Sequence, residues 1–212
     1  MPKLSEQAQE SRRAHILEAA EACFARAGFH RTTMQDICRE AGVSPGALYL
    51  YFASKEALIE GIAERDRKEV LAEFAVAAGK ASLIDGLAEV LRACVIDAPA
   101  HRPALLMEMG AEATRNPAVS RTVLACDGAI RGQLEAVLGE AIARGEIAPV
   151  VPAATIAALM AVVADGLFWR RAVDPSFDCA ALGPHITGMF GSLLNPHAGV
   201  APALAPPTMA DA

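Results

Sequence analysis

The sequence predicts an all-α fold of about nine helices, and three observations carry that prediction. Apolar residues recur at three- and four-residue spacing through most of the chain, and no stretch past Lys55 alternates as a half-buried strand would. Proline and glycine fall where this pattern pauses, so they separate helices. Between Thr33 and Leu58 the run TMQDICREAGVSPGALYLYFASKEAL packs three helix starts and two very tight connections into one short segment.

The elements follow in order. Ile16, Leu17, Ala20, Phe24 and Ala27 form the apolar stripe of a first helix that ends at Gly28, before aromatic Phe29. Thr33 with Asp36 three residues later is a capping-box pattern, and Met34, Ile37, Cys38 and Ala41 then share one face until Gly42. After the single apolar residue Val43, Ser44 can cap a third helix with Pro45 at its first position, where a missing N–H costs nothing. Leu48 and Phe52 point inward on this reading. Pro45, Gly46, Tyr49 and Leu50, flanked by Ala47 and Tyr51, are left on a slim outer face that a major groove can admit. Ser54 caps the next helix, which starts at Lys55 and runs to about Gly79.

This segment resembles the TetR/AcrR transcriptional regulators, whose N-terminal domain reads close to T-x-x-x-I-A-x-x-A-G-V-S-x-G-x-L-Y-x-Y/H-F-x-S-K-E-x-L. Thr33, Ile37, Ala41, Gly42, Val43, Ser44, Gly46, Leu48, Tyr49, Tyr51, Phe52, Ser54, Lys55, Glu56 and Leu58 match in register, and Cys38 stands where the family prefers alanine. The likeness covers roughly residues 11 to 60 by motif and is only architectural beyond them. It implies an N-terminal three-helix helix-turn-helix domain over residues 1–60, with residues 33 to 52 in the major groove of double-stranded DNA. The contact set expected from it is Thr33, Ser44, Pro45, Gly46, Ala47, Tyr49, Leu50, Tyr51 and Lys55. The tyrosines would meet phosphates or sugars, Ala47 and Leu50 the base edges, and Gly46 would allow close backbone approach.

A competing motif lies inside the same run, because Gly42-Val43-Ser44-Pro45-Gly46 spells G-x-S-x-G, the nucleophile elbow of serine hydrolases. An elbow needs a buried strand before the serine, whereas DICREA reads as a charged amphipathic helix and Pro45 suits a helix start. No Asp-then-His pair follows that would complete a triad, so no catalysis is expected.

Composition bounds the rest. The 212 residues are 53% hydrophobic, yet no run reaches the roughly eighteen uninterrupted apolar residues of a membrane span. The start MPKLSEQAQESRR lacks the apolar core of a signal peptide, so a cytoplasmic protein without membrane partners is expected. Cys23, Cys38, Cys94, Cys126 and Cys179 are odd in number and form no C-x-x-C, which fits reduced and mostly buried thiols rather than disulfides or a metal site; Cys94 and Cys126 are the candidates for redox sensing. The net charge of −6 is opposite to that of most nucleic-acid binders, and residues 1–60 carry seven Lys/Arg against eight Asp/Glu. Local placement must therefore do the work, through Lys3, Arg12, Arg13, Arg31 and Lys55 and through backbone N–H groups at the helix starts.

Beyond Gly79 a helix is expected from Ser82 to Asp97, then one from His101–Pro103 to Asn116-Pro117, and a long one from Pro117 to Arg144 that closes at Gly145. The stretch from Ala153 to Val173 is apolar on nearly every face until Trp169-Arg170-Arg171, and a last helix spans Cys179 to Leu194. These make a helical ligand-binding and dimerisation domain over residues 61–194, followed by a Pro/Ala-rich segment, 195–212, expected to be disordered. A helix that is apolar all round needs burial on every side, which predicts a homodimer. Ala157, Ala158, Ala161, Ala164 and Gly166, with Gly188 and Gly191, would let helices approach across a four-helix interface; the same residues could instead fill an intramolecular core. Two recognition helices about 34 to 36 Å apart could then read a palindromic operator.

The family resemblance further implies a pocket for a small-molecule effector among the middle helices, with no cofactor and no metal. Candidate lining is Leu91, Cys94, Met107, Met109, Leu124, Asp127, Arg131, Asp165, Phe168 and Trp169. For the apolar members ordinary core packing is the competing reading. Asp127, Arg131 and Asp165 interrupt apolar helical segments and so need a partner, either a polar ligand atom or each other. Few aromatics and several methionines favour a flexible aliphatic pocket. A ligand-responsive repressor results, in which the helix beginning at Lys55 would carry a shift of the middle helices to the reading head.

Overall fold

The computed structural model describes residues 5–174 and 176–194, so the expectations for Lys3 and for residues 195–212 lie outside it. Among the described residues there are nine α-helices and no strand: α1 (Glu6–Ala27), α2 (Met34–Ala41), α3 (Pro45–Tyr49), α4 (Lys55–Ala78), α5 (Leu83–Leu91), α6 (Arg102–Ala113), α7 (Pro117–Ala143), α8 (Ala153–Val173) and α9 (Cys179–Leu194). Their starts are set locally. Ser5, Thr33, Ser44, Ser54, Ser82 and Asn116 each accept a hydrogen bond from a backbone N–H of the first turn they precede. At Gly42 the backbone turns left-handed, with φ of 61°, and this single αL residue lets α3 begin three residues later.

The helix expected from Ser82 to Asp97 leaves α geometry at Arg92. Residues Arg92–Ile96 form a π-helical turn closed by Asp97 N–H donating to Arg92 O at 2.8 Å. The turn and the residues after it are tied down from a distance: the Arg171 guanidinium on α8 donates to Val95 O within the turn, and to Ala98 O beyond it at 2.8 Å. α4 and α5 approach so closely that a Cβ on Gly86 would lie 2.7 Å from the Ala77 carbonyl oxygen.

Two main cores result. The first joins α1, α2, α3 and the start of α4 through Ile16, Phe24, Ile37, Leu48 and Ile62, and it also takes Leu105 and Met109 from α6 and Val119 from α7. The second gathers Phe74 of α4, Leu87 of α5, Leu138 of α7, Ile156 of α8 and Phe190 of α9. With 24 residues, or about 36 Å at 1.5 Å per residue, α4 is the strut that enters both. The division expected at 60/61 falls inside this helix. α8 is long and apolar enough, by length and composition, to cross a membrane; it packs here against α6, α7 and α9 and keeps Leu159, Val162, Trp169 and Val173 exposed.

Candidate DNA-reading surface and ligand cavity

α3 is only five residues long, and its orientation is fixed from one side. Leu48 and Phe52 are buried in the first core, while Tyr49 is 54% and Leu50 85% exposed. Pro45 and Gly46 are exposed beside them; Ala47 and Tyr51 are half-buried. A methyl group placed on Gly46 would meet nothing within 4 Å, so the fold itself has no use for a glycine there. Ser44 Oγ accepts from Ala47 N–H at 3.2 Å, and the residues before it are helix α2, so the hydroxyl is a cap and no elbow is formed. Thr33 and Asp36 cap reciprocally, with Thr33 N–H to Asp36 Oδ2 at 2.9 Å and Asp36 N–H to Thr33 Oγ1 at 3.2 Å. The Thr33 hydroxyl and backbone N–H, both donating to Asp36 Oδ2, hold the Asp36 carboxyl below the usual aspartate range.

Lys55 behaves differently from the other expected contacts. Its ammonium donates to Phe29 O at 2.5 Å and stands 4.2 Å from the centroid of the Phe29 ring, which fastens the start of α4 to the turn between α1 and α2. Without DNA its ammonium is thus engaged within the protein. Arg13 is likewise drawn over the Phe52 ring, at 5.3 Å, whereas Arg12 and Arg31 stay exposed.

Between the two cores lies a cavity of about 520 Å³, walled by α4, α5, the π turn and α6 to α9. Leu91, Cys94, Met107 and Met109 line it, as do Asp127, Arg131, Asp165 and Phe168. Leu124 and Trp169 do not. Leu124 is 65% exposed, off the stripe of Val123, Asp127, Ile130 and Leu134 that faces the cavity from α7, and Trp169, one residue round α8 from Phe168, lies outward beneath the Arg170 guanidinium. Arg131 Nε donates to Asp127 Oδ2 at 3.0 Å, the internal pair that was the alternative to a ligand contact. Asp165 has no such partner among the described residues, and burial, with the charge of Asp127, pushes its carboxyl up.

Two charged wall residues escaped the sequence reading. Asp66 of α4 is buried and Arg102 opens α6; their side chains meet at 3.1 Å on the wall nearest the first core. The signal for Asp66 was present, because it continues the stripe Ile59, Ile62, Ala63 and Val70, where an acid needs a partner. Burial raises both cavity thiols, Cys126 and Cys94, the latter to about 11, which disfavours the thiolate that redox sensing requires.

Residues 16–62 match the family of bacterial regulatory proteins described as the tetR family. The HTH-type transcriptional regulator UidR of Escherichia coli strain K12 is 30% identical over 195 residues, spanning 92% of this chain and 98% of that protein. The chain belongs to the TetR family. It is a helix-turn-helix, DNA-binding transcriptional regulator, and its all-helical architecture is the TetR-family one. The structure of GusR from Salmonella enterica superposes with a TM-score of 0.77 at 34% identity, covering 91% of this chain and 99% of that one. The complex of SmeT with triclosan shares the TetR-family fold at 21% identity, with a TM-score of 0.73 over 93% of this chain and 98% of that one.

Proposed function

We propose that this TetR-family regulator is a homodimeric repressor, working in the cytoplasm and without catalytic activity, which reads a palindromic duplex operator through two copies of α3 and leaves it when a small, largely apolar molecule occupies the cavity. One observation carries the ligand-responsive part: α6 serves both compartments. Leu105 and Met109 pack into the first core, Glu108 Oε2 accepts from Phe29 N–H at 3.1 Å, and Met107 and Met109 line the cavity. A molecule that displaces α6 therefore acts on the turn that precedes α2 and α3. A protein of the same fold, SmeT, has been solved in complex with the small molecule triclosan, which supports a ligand-responsive reading.

The dimer reading rests on α8 and α9. Of the small residues expected at the interface, Ala157 is buried in its own chain and Ala161, Ala164 and Gly191 line the cavity, so their missing side-chain volume makes space for a ligand. Gly166 and Gly188 remain exposed, and beside them Leu159, Val162, Trp169, Val173, Leu182 and Met189 form an apolar face that needs a cover.

The test is reciprocity. Operator duplexes selected from random sequence would be titrated by anisotropy with and without a cavity-binding compound. A hundredfold loss of operator affinity corresponds to about 2.7 kcal/mol of coupling, and the same factor must weaken the compound's binding when operator is present. Equal ligand affinities for free and DNA-bound protein would refute the mechanism even for a tight ligand.

A further inference from the structure

The charged groups on the cavity wall are not equivalent. Asp127 and Arg131 satisfy each other, with side chains 43% and 42% exposed. Asp165 lines the cavity from α8 and has no partner among the described residues, but as a residue it is mostly exposed and its carboxyl is only partly withdrawn from solvent. Arg102 differs from all of these: its guanidinium is only 15% exposed, and it lies 3.1 Å from Asp66 Oδ1 and 3.9 Å from Glu69 Oε2. Neither contact has hydrogen-bond geometry, and among the described residues the Arg102 side chain donates no hydrogen bond. None of its nitrogens is both sealed and unpartnered, so its unused donors are accessible, and the residue is part of the cavity lining. Asp66 is better supplied, since Arg65 Nη2 also donates to its Oδ1 at 3.1 Å.

We infer that Arg102 receives the anionic oxygen group, of carboxylate type, of an effector whose remaining body is apolar and fills the space between the two cores. This names the ligand class of the effector site proposed above and rests on that reading. A planar fork of N–H donors suits two oxygens of one anion, and a charged, half-satisfied arginine on a largely apolar wall gains most from such a partner. The exchange leaves no orphan, because Asp66 keeps Arg65 when Arg102 turns to the ligand. A cationic ligand is less well served: of the three wall acids, Asp66 and Asp127 already hold arginines, and Asp165 belongs to a mostly exposed residue.

A matched pair of fluorescent probes tests this on the full chain. 8-Anilino-1-naphthalenesulfonate and N-phenyl-1-naphthylamine share one aromatic body and differ by a sulfonate. Both should brighten on binding and displace each other. Arg102→Gln should weaken the sulfonate probe by about tenfold or more, the equivalent of one hydrogen bond to a charged group, while the neutral probe changes by less than about twofold. Asp66→Asn, which releases Arg102 from its acid, should tighten the sulfonate probe and leave the neutral one unchanged, a gain that a merely structural role would not give. If the probes compete but Arg102→Gln treats them alike, the anion assignment is overturned and the cavity reading stands. If neither probe binds, the cavity reading falls and this inference with it. Should Arg102→Gln fail to fold by circular dichroism, the sign of the Asp66→Asn effect decides, and no tightening overturns the assignment.

Discussion

Gly46→Ala separates what α3 needs to fold from what it needs to read DNA. An added methyl would have no protein atom within 4 Å, and Gly46 is not among the glycines with positive φ, so nothing in the chain opposes alanine. Alanine is the better helix former by up to about 1 kcal/mol, less at an end position, so the variant should be as stable as the parent or slightly more so. For a chain of this size that is a rise in melting temperature of no more than roughly 2 to 4 °C. On the outer face the same methyl stands beside Tyr49 and Leu50, where the groove must come close to the backbone. Losing one charge-assisted contact from backbone or neighbour costs about 1.5 to 3 kcal/mol per subunit, and about twice that for a dimer on both half-sites. Thermal unfolding and anisotropy titration at one fixed salt concentration read the two effects separately. Unchanged operator affinity in a folded Gly46→Ala protein would refute close approach at this residue, and a drop in stability would refute the claim that the fold does not need the glycine.

Other substitutions test other elements. Lys55→Ala should leave the salt dependence of operator binding at the parental slope while costing about 1 kcal/mol of stability, because its ammonium is held by the Phe29 carbonyl and ring; a slope shallower by about one unit would restore it as a phosphate contact. Gly86→Ala pushes a methyl against the Ala77 backbone and should destabilise by roughly 1 to 3 kcal/mol in chemical denaturation, and a neutral result would mean that α4 and α5 can slide apart at no cost. Val162→Glu places a charge in the exposed α8 face and should convert dimer to monomer in sedimentation; an intact dimer would put the interface elsewhere. Asp165→Asn has a signed pH dependence. Its folded pKa is raised, so the ionised carboxylate weighs against folding above that value, and the burden fades as pH falls toward the ordinary aspartate range. The asparagine variant should therefore melt higher near neutrality, with an advantage that shrinks toward about pH 4, and a pH-independent difference would refute the assignment.

The head was legible because its decisions are local. Thr33, Ser44 and Ser54 each cap within three residues, Gly42 needs only its own backbone, and the stripe through Leu48 and Phe52 fixes which side of α3 faces out. The illegible features depend on residues far away in the chain. Lys55 turns inward toward a carbonyl 26 positions earlier, and Arg171 satisfies a carbonyl of the π turn and one just beyond it from 76 and 73 positions later. Such partners leave no periodic trace. The orientation of Leu124 and Trp169 was missed for a different reason: both sit one step of about 100° from a cavity residue, and an all-apolar helix carries no pattern from which that phase could be read.

The same distant contacts alter the route by which the cavity can act on the head. The sequence suggests α4 as the lever, since it begins beside α3, yet α4 is shared by both cores and is held along its whole length. α6 has the shorter path. Its Glu108 accepts from Phe29 N–H and its buried Glu112 meets His30 Nε2 at 2.9 Å, so two of its carboxylates grip the turn immediately before the capping box of α2. The ion chain from Arg102 through Asp66 and Arg65 to the buried Glu21 of α1 runs beside this grip, with Arg65 to Glu21 at 2.6 Å. Breaking one buried pair without replacing the partner costs about 3 to 5 kcal/mol, more than the roughly 2.7 kcal/mol that a hundredfold release requires. A ligand whose anion replaces Asp66 at Arg102 therefore has no need to break any link without replacing it: strain that weakens α6 contacts by a fraction of one such pair in each subunit is sufficient, and α1, α2 and α3 can move as one packed body with their shared core intact.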